Sequence, residues 1–248
     1  MMELIVEQKK LLQILDAVTS ITREPTMVFE PDGLSVVDMN PEQHCMVVLS
    51  AKPAFFGVYK VDKEGEKLKF DLVKATQMVK GMGVGEIGVT VGKAGNKINL
   101  VGKSAKYSLP IFESDGGMSR KEPTMGFTTT VKITPGEVVK AAEDVHEYCD
   151  TKTATLEVRD VLSGKVFVIR NSDMSGVMAA HEFKDCLIEG GAVKSNYPSN
   201  YIMDICSGLP GELVKIELLK DAPMRITAQG IDENLSVHYW VAPRVDNE

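Results

Sequence analysis

The sequence repeats itself: when it is shifted by 127 positions, apolar residues fall on apolar residues without a gap. The match extends over an opening strand, a first helix and a later helix–strand segment. The pairs are Leu4/Val131, Val6/Ile133, Leu11/Val138, Leu12/Val139, Leu15/Ala142, Val18/Val145, Ala75/Ile202, Met78/Ile205, Gly81/Gly208, Ile87/Val214, Val89/Ile216 and Val91/Leu218. Two copies of one unit favour a symmetric scaffold over a single catalytic pocket.

Length and composition favour a globular protein of one large or two ordinary domains. Of the 248 residues 44% are hydrophobic, and no apolar run approaches the ~18 residues of a membrane helix. The Met1-Met2-Glu3 start lacks the pattern of a signal peptide. Because the cysteines form no C-x-x-C pair, we expect reduced thiols in a cytosolic protein; they are Cys45, Cys149, Cys186 and Cys206.

Charge is divided unevenly between the two copies. Residues 1–126 contain 16 basic and 16 acidic side chains, whereas residues 127–248 contain 12 and 19, which accounts for the whole net charge of −7. The acidic total argues against a protein that coats nucleic acid with a basic surface. A neutral half and an acidic half also favour head-to-tail contact between copies.

Each copy is predicted to begin with a strand that leads directly into an amphipathic helix. In the first copy the helix has an apolar stripe that includes Leu11 and Leu15. In the second copy Thr134 is the predicted N-cap, Pro135 the first helical residue and Glu137 the acid of a capping box.

A second helix is predicted in each copy, at 71–80 and 199–207, and the following Gly81 or Gly208 is predicted to form a left-handed C-terminal cap. Apolar alternation predicts strands at 27–29, 34–39, 45–49, 87–91, 97–101 and 106–111, then at 155–158, 165–170, 176–181, 213–219, 224–228 and 235–241. The predicted fold class is α+β: two similar domains of antiparallel sheet with two helices each. The polar segment 114–126 is predicted to link a domain at 1–113 to one at 127–248.

Two motifs have the spacing of ligand sites. Gly83-x-Gly85-x-x-Gly88 matches a dinucleotide fingerprint, but a predicted helix precedes it and a strand follows, the reverse of the required order. We interpret it as a helix-to-strand turn. Glu143, His146 and Cys149 are spaced along one helix, and without a second such motif a surface Glu and His beside a buried Cys is favoured over a metal site.

No catalytic constellation is evident in the sequence. His44, His181 and His238 are far apart, and neither a G-x-S-x-G elbow nor a Ser-His-Asp order is present. We predict no enzymatic activity, no metal and no cofactor. An active site assembled at the junction of two fused α+β repeats stays open as an alternative.

Lysines recur on the predicted helices, opposite the apolar stripes or at their edges. They are Lys9, Lys10, Lys74, Lys80 and Lys140. An ordinary solvated face is one interpretation. If the helices shared one surface, the lysines would instead form a basic strip that attracts phosphate without reading bases.

Segments within this repeat resemble the archaeal DNA sliding clamps of the proliferating cell nuclear antigen (PCNA) family. They are Asp32-Gly33-Leu34-Ser35-Val36, Met39-Asn40-Pro41, Lys194-Ser195-x-Tyr197, Ala222-Pro223-Met224 and the terminal Val241-Ala242-Pro243-Arg244-Val245. The resemblance extends from Glu3 to Val245. It implies the DNA clamp fold, in which three subunits close head-to-tail into a ring with helices lining the hole and sheets outside.

The resemblance also implies a processivity factor for DNA replication and repair that encircles duplex DNA, with the five lysines facing phosphates. Weak contacts of this kind permit sliding. The implied partners are DNA polymerase, flap endonuclease, ligase and a clamp loader, and the implied location is the cytoplasm of an archaeal cell, at the nucleoid. The strand at 106–110 would pair with 176–181 of a neighbouring homotrimer subunit.

Partners of this family insert a Q-x-x-hydrophobic-x-x-aromatic motif into an apolar pocket. The corresponding positions here are Met39, Gln43, His44, Met46, Met125, Pro223, Trp240, Val241, Ala242 and Pro243. A small exposed apolar patch suits such an interaction, although Met46 and Val241 are also compatible with a place in the core.

The second copy departs from the family pattern. Glu143 and Ser207 stand where a basic residue is common, and the helix at 199–207 has neither Lys nor Arg. Lys140 would then be the single contributor of the second domain to DNA contact. A subunit of a heterotrimeric or checkpoint-type clamp is the alternative to a homotrimer.

Overall fold

The computed structural model describes residues 2–92, 95–113, 121–171 and 177–244. In these ranges the chain forms four α-helices: α1 (Gln8–Thr19), α2 (Leu72–Gly81), α3 (Pro135–Tyr148) and α4 (Ser199–Gly208). The strands are β1 (Glu3–Glu7), β2 (Thr26–Glu30), β3 (Gly33–Met39), β4 (Cys45–Ala51), β5 (Val58–Lys60), β6 (Glu66–Lys69), β7 (Glu86–Val91), β8 (Lys97–Val101), β9 (Lys106–Pro110), β10 (Thr129–Ile133), β11 (Thr153–Val161), β12 (Gly164–Asn171), β13 (Ala180–Phe183), β14 (Leu187–Gly190), β15 (Val193–Pro198), β16 (Leu213–Leu218), β17 (Met224–Gln229) and β18 (Leu235–Val241).

The chain divides into two compact units. The first unit comprises Met1–Pro41, Val47–Glu122 and Ile231–Val237, and the second comprises Glu42–Met46, Pro123–Gly230 and His238–Glu248. The domain boundaries drawn from the sequence stay a prediction, and residues 114–120 of the predicted linker lie outside the described ranges.

In the first unit, β1 lies inside an antiparallel sheet of the order β5-β1-β7-β8-β9. A second sheet has the order β6-β2-β3-β4 within this unit. Both helices are amphipathic and pack against each other. Ile14 of α1 and Leu72 and Val79 of α2 are fully buried, so each helix is held by its apolar side while its polar side faces solvent.

The second unit repeats this arrangement strand for strand. Its sheets have the orders β14-β10-β16-β17-β18 and β15-β11-β12-β13, and α3 packs against α4. Helices α2 and α4 begin and end 127 residues apart, as do β7 and β16. The periodicity of apolar residues is therefore a periodicity of topology, and the predicted α+β class with antiparallel sheets is confirmed.

The predicted left-handed caps at Gly81 and Gly208 are wrong. Each glycine is the last residue of its helix, but the next residues, Met82 and Leu209, have φ of −76° and −70°. Both of these apolar residues are buried, so their packing directs the chain out of the helix. In the first unit the left-handed conformation comes one residue later, at Gly83 with φ of +75°.

Two other local predictions need correction. The strand predicted at 176–181 is Ala180–Phe183, and residue 176 lies outside the described ranges. Thr134 is the N-cap of α3 and Pro135 its first residue, as predicted, but the Thr134 hydroxyl donates to the Glu137 carboxylate at 2.5 Å instead of accepting from a backbone N–H. Strands β5, β6, β14 and β15 were not predicted, because the first three are short and largely polar or exposed.

Candidate nucleic-acid interface and docking pocket

Helix α1 exposes Lys9 on the side opposite its packed residues. The buried side chains of α1 are Leu11, Ile14, Leu15, Ala17 and Val18. With 3.6 residues per turn, Lys9 and the half-exposed Gln13 and Asp16 fall on the other face. This face presents one predicted DNA-binding cation to solvent.

Lys10 lies at the edge of the buried face and is engaged within the first unit. Its Nζ lies 2.7 Å from Oδ2 of Asp232 and 3.3 Å from the carbonyl oxygen of Phe55. The same atom lies 4.9 Å from the centroid of the Phe55 ring. These contacts direct the ammonium group of Lys10 toward its own unit and away from a ligand.

Helix α2 exposes Lys74 and Lys80, and its N-terminus is fixed by Asp71. The Asp71 carboxylate accepts from the Lys74 backbone N–H at 3.0 Å and from Nη2 of Arg23 at 2.6 Å. Burial alone would raise the pKa of Asp71, but these hydrogen bonds hold it below the ordinary value. Lys80 forms an exposed ion pair with Asp16 at 3.0 Å, which joins the two exposed helix faces.

Helix α3 surrounds its one lysine with carboxylates. Lys140 is exposed, and Glu137, Glu143 and Asp144 lie three or four residues away from it along the helix. Glu147 extends the same stripe by another turn. The lysine predicted to contact DNA from this helix therefore lies within an acidic face.

Helix α4 contributes no cation to its exposed side. Its residues are SNYIMDICSG, of which Asp204 and Ser207 are exposed. Burial raises the pKa of the Asp204 carboxyl, and the nearby His146 acts in the opposite direction. The α3–α4 face thus carries acidic groups where the α1–α2 face carries basic ones.

Three of the predicted docking residues meet in one pocket of the second unit. His44, Ala242 and Pro243 line a cavity of about 230 Å³ together with Pro198, Asn200, Tyr201 and Arg244. The Ala242 backbone N–H donates to the His44 carbonyl oxygen at 2.8 Å, and the His44 and Tyr201 rings lie edge to face with centroids 6.5 Å apart. The pocket combines apolar walls with amide, hydroxyl and guanidinium groups.

Arg244 anchors the chain that forms one wall of this pocket. Its backbone N–H donates to the Asn196 carbonyl oxygen at 2.8 Å. Its guanidinium donates to the Thr151 carbonyl oxygen and, at 2.7 Å, to the Thr153 hydroxyl. Because both ends of this residue are held, the preceding Ala242 and Pro243 have a fixed position.

A second docking feature is a stack of aromatic rings beside β17 and β18. Trp240 is buried and stacks on the half-buried Phe127 with centroids 5.7 Å apart. The Arg225 guanidinium lies over both rings and donates twice to Glu217, at 2.6 and 2.9 Å. Burial alone would raise the pKa of Glu217, but hydrogen bonds from Arg225 and Lys215 hold it below its ordinary value.

The other predicted docking residues differ in exposure. Met46 and Val241 are buried, as expected of core residues. Met125 and Pro223 are half-buried in the second unit, whereas Gln43 is exposed with φ of +60°. The half-buried Met39 belongs to the first unit.

The structure adds residues that the sequence did not indicate: Pro198, Asn200, Tyr201 and Arg244 in the pocket, and Phe127 and Arg225 in the aromatic stack. Arg244 lies inside a family segment, and Phe127 is an aromatic residue directly after the predicted linker, so each carried a weak signal. The others come from β15, α4 and β17, and only the fold brings them to this place.

The ligand-like motifs have structural roles. The glycine motif begins in the turn after α2 and ends inside β7, in the predicted helix-to-strand order. Glu143 is exposed and Cys149 is buried, while Nδ1 of His146 lies 3.1 Å from the Ser199 hydroxyl. Among the described residues, no three His, Cys, Asp or Glu side chains are placed to hold a metal ion. No helix in the described ranges has the length and apolarity needed to cross a membrane.

Comparison with curated proteins finds relatives that align with this chain from end to end. It is 24% identical to a DNA polymerase sliding clamp of Methanothrix thermoacetophila and 20% identical to one of Archaeoglobus fulgidus, each with complete coverage of both chains. A DNA polymerase sliding clamp of Thermoplasma volcanium is 22% identical over 99% of this chain. No protein-family model matches the chain.

Solved structures share the fold over the whole chain. The PCNA of Entamoeba histolytica matches with a TM-score of 0.88 at 15% identity, covering 98% of this chain and 99% of the other. The A. fulgidus PCNA bound to the C-terminal region of FEN-1 matches with a TM-score of 0.84 at 17% identity and complete coverage of both chains. The PCNA2–PCNA3 complex of Sulfolobus tokodaii gives a TM-score of 0.82 at 17% identity, covering 98% and 99%.

The repeated units and the agreement with these structures define a protein with the DNA clamp fold. The full-length sequence matches further identify the chain as a homologue of the archaeal DNA polymerase sliding clamps.

Proposed function

We propose that this chain is the subunit of a DNA polymerase sliding clamp, which encircles duplex DNA and recruits replication and repair enzymes. The observation that carries the proposal is end-to-end similarity, in sequence to archaeal sliding clamps and in fold to PCNA. Its role is topological and not enzymatic: the ring keeps its partners on DNA. By this role it acts in the cell interior, at the nucleoid.

The ring is a homotrimer closed by edge strands. Strands β9 and β13 each lie at the end of a sheet, and an exposed sheet edge is a template for pairing with another chain. Lys103 lies before β9 and Lys106 is its first residue, whereas Glu182 and Asp185 lie on or beside β13, where Lys184 offsets one of them. Pairing β9 of one copy with β13 of the next propagates head-to-tail and closes after three copies.

Duplex DNA passes through the ring beside the helices. Lysines from the predicted set Lys9, Lys10, Lys74, Lys80 and Lys140 supply cations to phosphates and read no bases, so binding is independent of sequence. Encirclement prevents dissociation, and weak contacts leave the clamp free to slide. The helices therefore act on DNA through electrostatic attraction between their lysines and the phosphates.

Partners dock on the second unit through a short peptide. The cavity of about 230 Å³ beside His44 and Tyr201 has room for one polar side chain such as glutamine. The predicted residues near Trp240 and Met125 receive the hydrophobic and aromatic side chains of the motif. The FEN-1 region bound to A. fulgidus PCNA supports an endonuclease as one partner, and we extend the proposal to polymerase, ligase and the clamp loader.

Light scattering over a dilution series, combined with primer extension by an archaeal family-B polymerase, tests this function. A mass near three times 27.1 kDa that falls on dilution, with longer products on primed circular DNA in the presence of a clamp loader, is the expected result. A chain that stays at 27.1 kDa and does not lengthen products contradicts it.

A heterotrimeric clamp is the second candidate, supported by the similarity in fold to the PCNA2–PCNA3 complex of Sulfolobus tokodaii. A subunit of such a clamp stays monomeric or dimeric alone and reaches the trimer mass only with paralogous chains. Mixing experiments with the paralogues of the source organism separate the two assemblies.

A further inference from the structure

The two helix pairs carry opposite charge on the same scaffold. Helices α1 and α2 contain four lysines and one aspartate. Helices α3 and α4 contain one lysine and five carboxylates, namely Glu137, Glu143, Asp144, Glu147 and Asp204. A phosphate backbone approaching the two pairs therefore meets attraction at one and repulsion at the other.

The acidic residues of α3 form a continuous stripe. Glu137, Lys140, Asp144 and Glu147 follow each other at intervals of three or four residues, so they lie on one face, away from the buried Val138, Ala141, Ala142 and Val145. Lys140 has Glu137 on the turn before it and Glu143 and Asp144 on the turn after it, and Oδ2 of Asp144 also lies 2.7 Å from Nε2 of His181. Its charge is compensated locally, which leaves little attraction for a phosphate.

The exposed side of α4 adds a further carboxylate and no cation. Asp204 and Ser207 are exposed on it, and Asn200 is half-exposed. A shift of 127 positions places Ser207 on Lys80, so a lysine of the first unit corresponds to a hydroxyl in the second. Screening confines each of these charges to a range of about 8 Å at physiological salt, so they act on DNA that touches the helices.

We propose that duplex DNA contacts only the first unit of each subunit, through Lys9, Lys74 and Lys80, and that the α3–α4 face holds the phosphates away. This inference rests on the proposed clamp function. Lys10 contributes little because its half-buried ammonium group is paired with Asp232 and lies over the Phe55 ring. The Lys80–Asp16 pair is more exposed and therefore weaker, so Lys80 is still available to a phosphate. Lys140 contributes little because of its carboxylate neighbours.

Site-specific photo-crosslinking measures this contact directly. Gln77 on α2 and Ser207 on α4 are both exposed and uncharged, so replacing either with p-benzoylphenylalanine leaves the charge of its helix unchanged. The full-length clamp is loaded on nicked circular duplex and irradiated. We expect crosslinks to DNA from position 77 and a yield lower by about fivefold or more from position 207, as phosphate attraction requires.

A charge variant provides the second arm. Glu143→Lys with Glu147→Lys replaces two of the four carboxylates of α3 with cations, and position 207 should then crosslink nearly as well as position 77. Equal yields from both positions in the unmodified chain overturn the inference. So does a yield at position 207 that the two lysines leave unchanged.

The failure of the clamp function has a different signature. A chain that forms no trimer gives no loading-dependent crosslink from either position, and it shows a subunit mass in light scattering. That result removes the basis of the inference together with the ring. A normal trimer with even crosslinking refutes the inference alone.

Discussion

The two units share one topology and differ in what their surfaces offer. The first unit exposes Lys9, Lys74 and Lys80 on its helices. The second exposes an acidic stripe on α3 but adds the anchored Arg244 and the Phe127–Trp240 stack. A shift of 127 positions places Arg225 and Glu217 on Ile98 and Thr90. The arginine–glutamate pair beside the Phe127–Trp240 stack therefore has no counterpart in the first unit.

This difference shows that the apolar pattern and the surface are under separate constraints. The shared buried positions fix strand order and helix packing in both units, because burial of apolar area dominates folding. Exposed positions contribute little to the fold, so they are free to diverge. The exposed lysines of the helices then concentrate in the first unit, and the pocket beside His44 lies in the second.

The largest expected effect concerns Gly190 in the second unit, where the backbone of another segment lies close to the glycine. Gly190 has φ of +99°, and a Cβ there would lie 2.0 Å from the Thr128 carbonyl oxygen. Its counterpart strand β5 in the first unit ends instead at Lys60, which pairs with Glu3 at 2.9 Å. We expect Gly190→Ala to lower the free energy of unfolding by about 3 kcal/mol, through backbone strain and displacement of β10.

The neighbouring residue supplies the control for this prediction. A Cβ at Gly191 would have no atom within 4 Å, so Gly191→Ala should change the unfolding free energy by less than about 1 kcal/mol. Urea unfolding at matched protein concentration measures both variants. Equal destabilisation by the two would show that the β14–β10 contact is not tighter than its neighbourhood.

The peptide affinity of the docking pocket should depend on Arg244 and not on Arg23. Arg244→Ala frees Ala242 and Pro243 from β15, and we expect a Q-x-x-hydrophobic-x-x-aromatic peptide to bind about 10- to 50-fold more weakly, or about 1.4–2.3 kcal/mol. Arg23→Ala, in the first unit, should leave the peptide affinity unchanged. Calorimetric titration of both variants with the peptide measures the two affinities. An equal loss of affinity in both would mean that the peptide binds away from this pocket.

Different parts of this molecule were predictable from the sequence for different reasons. The repeat, the α+β class and most strands followed from apolar periodicity, since Val131, Val214 and Ile216 are fully buried. Strands such as Val58–Lys60 and Leu187–Gly190 were missed because they are short and carry no alternating apolar pattern. The caps at Gly81 and Gly208 were wrong because burial of the next residue, a tertiary effect, overrides local preference.

The candidate site was predictable from the sequence only for residues that the family resemblance assigns by their position in the chain. Ala242 and Pro243 belong to a family segment, whereas His44 was assigned by its corresponding position in the family, and the three residues meet in the pocket. Helix α4 brings Tyr201 to the pocket and β17 brings Arg225 to the aromatic stack, and their local sequence indicates neither position. The engagement of Lys10 by Asp232 joins residues 222 positions apart, which no helical pattern reveals.

A pH-dependent comparison separates the two helix pairs further. The folded-state pKa of Asp71 is lowered, so its stabilising contribution is complete above the unfolded value of about 3.9 and is lost as the pH falls through the lower folded value. Asp71→Ala should lower the unfolding free energy at about pH 7 by about 1–2 kcal/mol, through loss of the cap and its ion pair. Asp71→Asn keeps the cap and should lose less.

Asp204 provides the opposite sign in the second unit. Its folded-state pKa is raised, so its charged form is penalised above that pKa, and the penalty is relieved as the pH falls toward the unfolded value of about 3.9. Asp204→Asn should therefore leave stability at about pH 7 unchanged or slightly higher. Denaturant titrations at several pH values test both, and a loss on Asp204→Asn as large as that on Asp71→Ala would contradict the assignment.

The smallest effect per residue, and the most direct test of the charge contrast, is the salt dependence of DNA binding. Removing one lysine that contacts phosphate should reduce the slope of log affinity against log salt by about 1, so Lys9→Ala should show this change. Lys140→Ala should show almost none, because its neighbours Glu137 and Glu143 already compensate its charge. Fluorescence anisotropy of a short labelled duplex over a salt series measures the slopes. Equal slopes for the two variants would mean that both units hold DNA and that the acidic stripe lies away from the duplex.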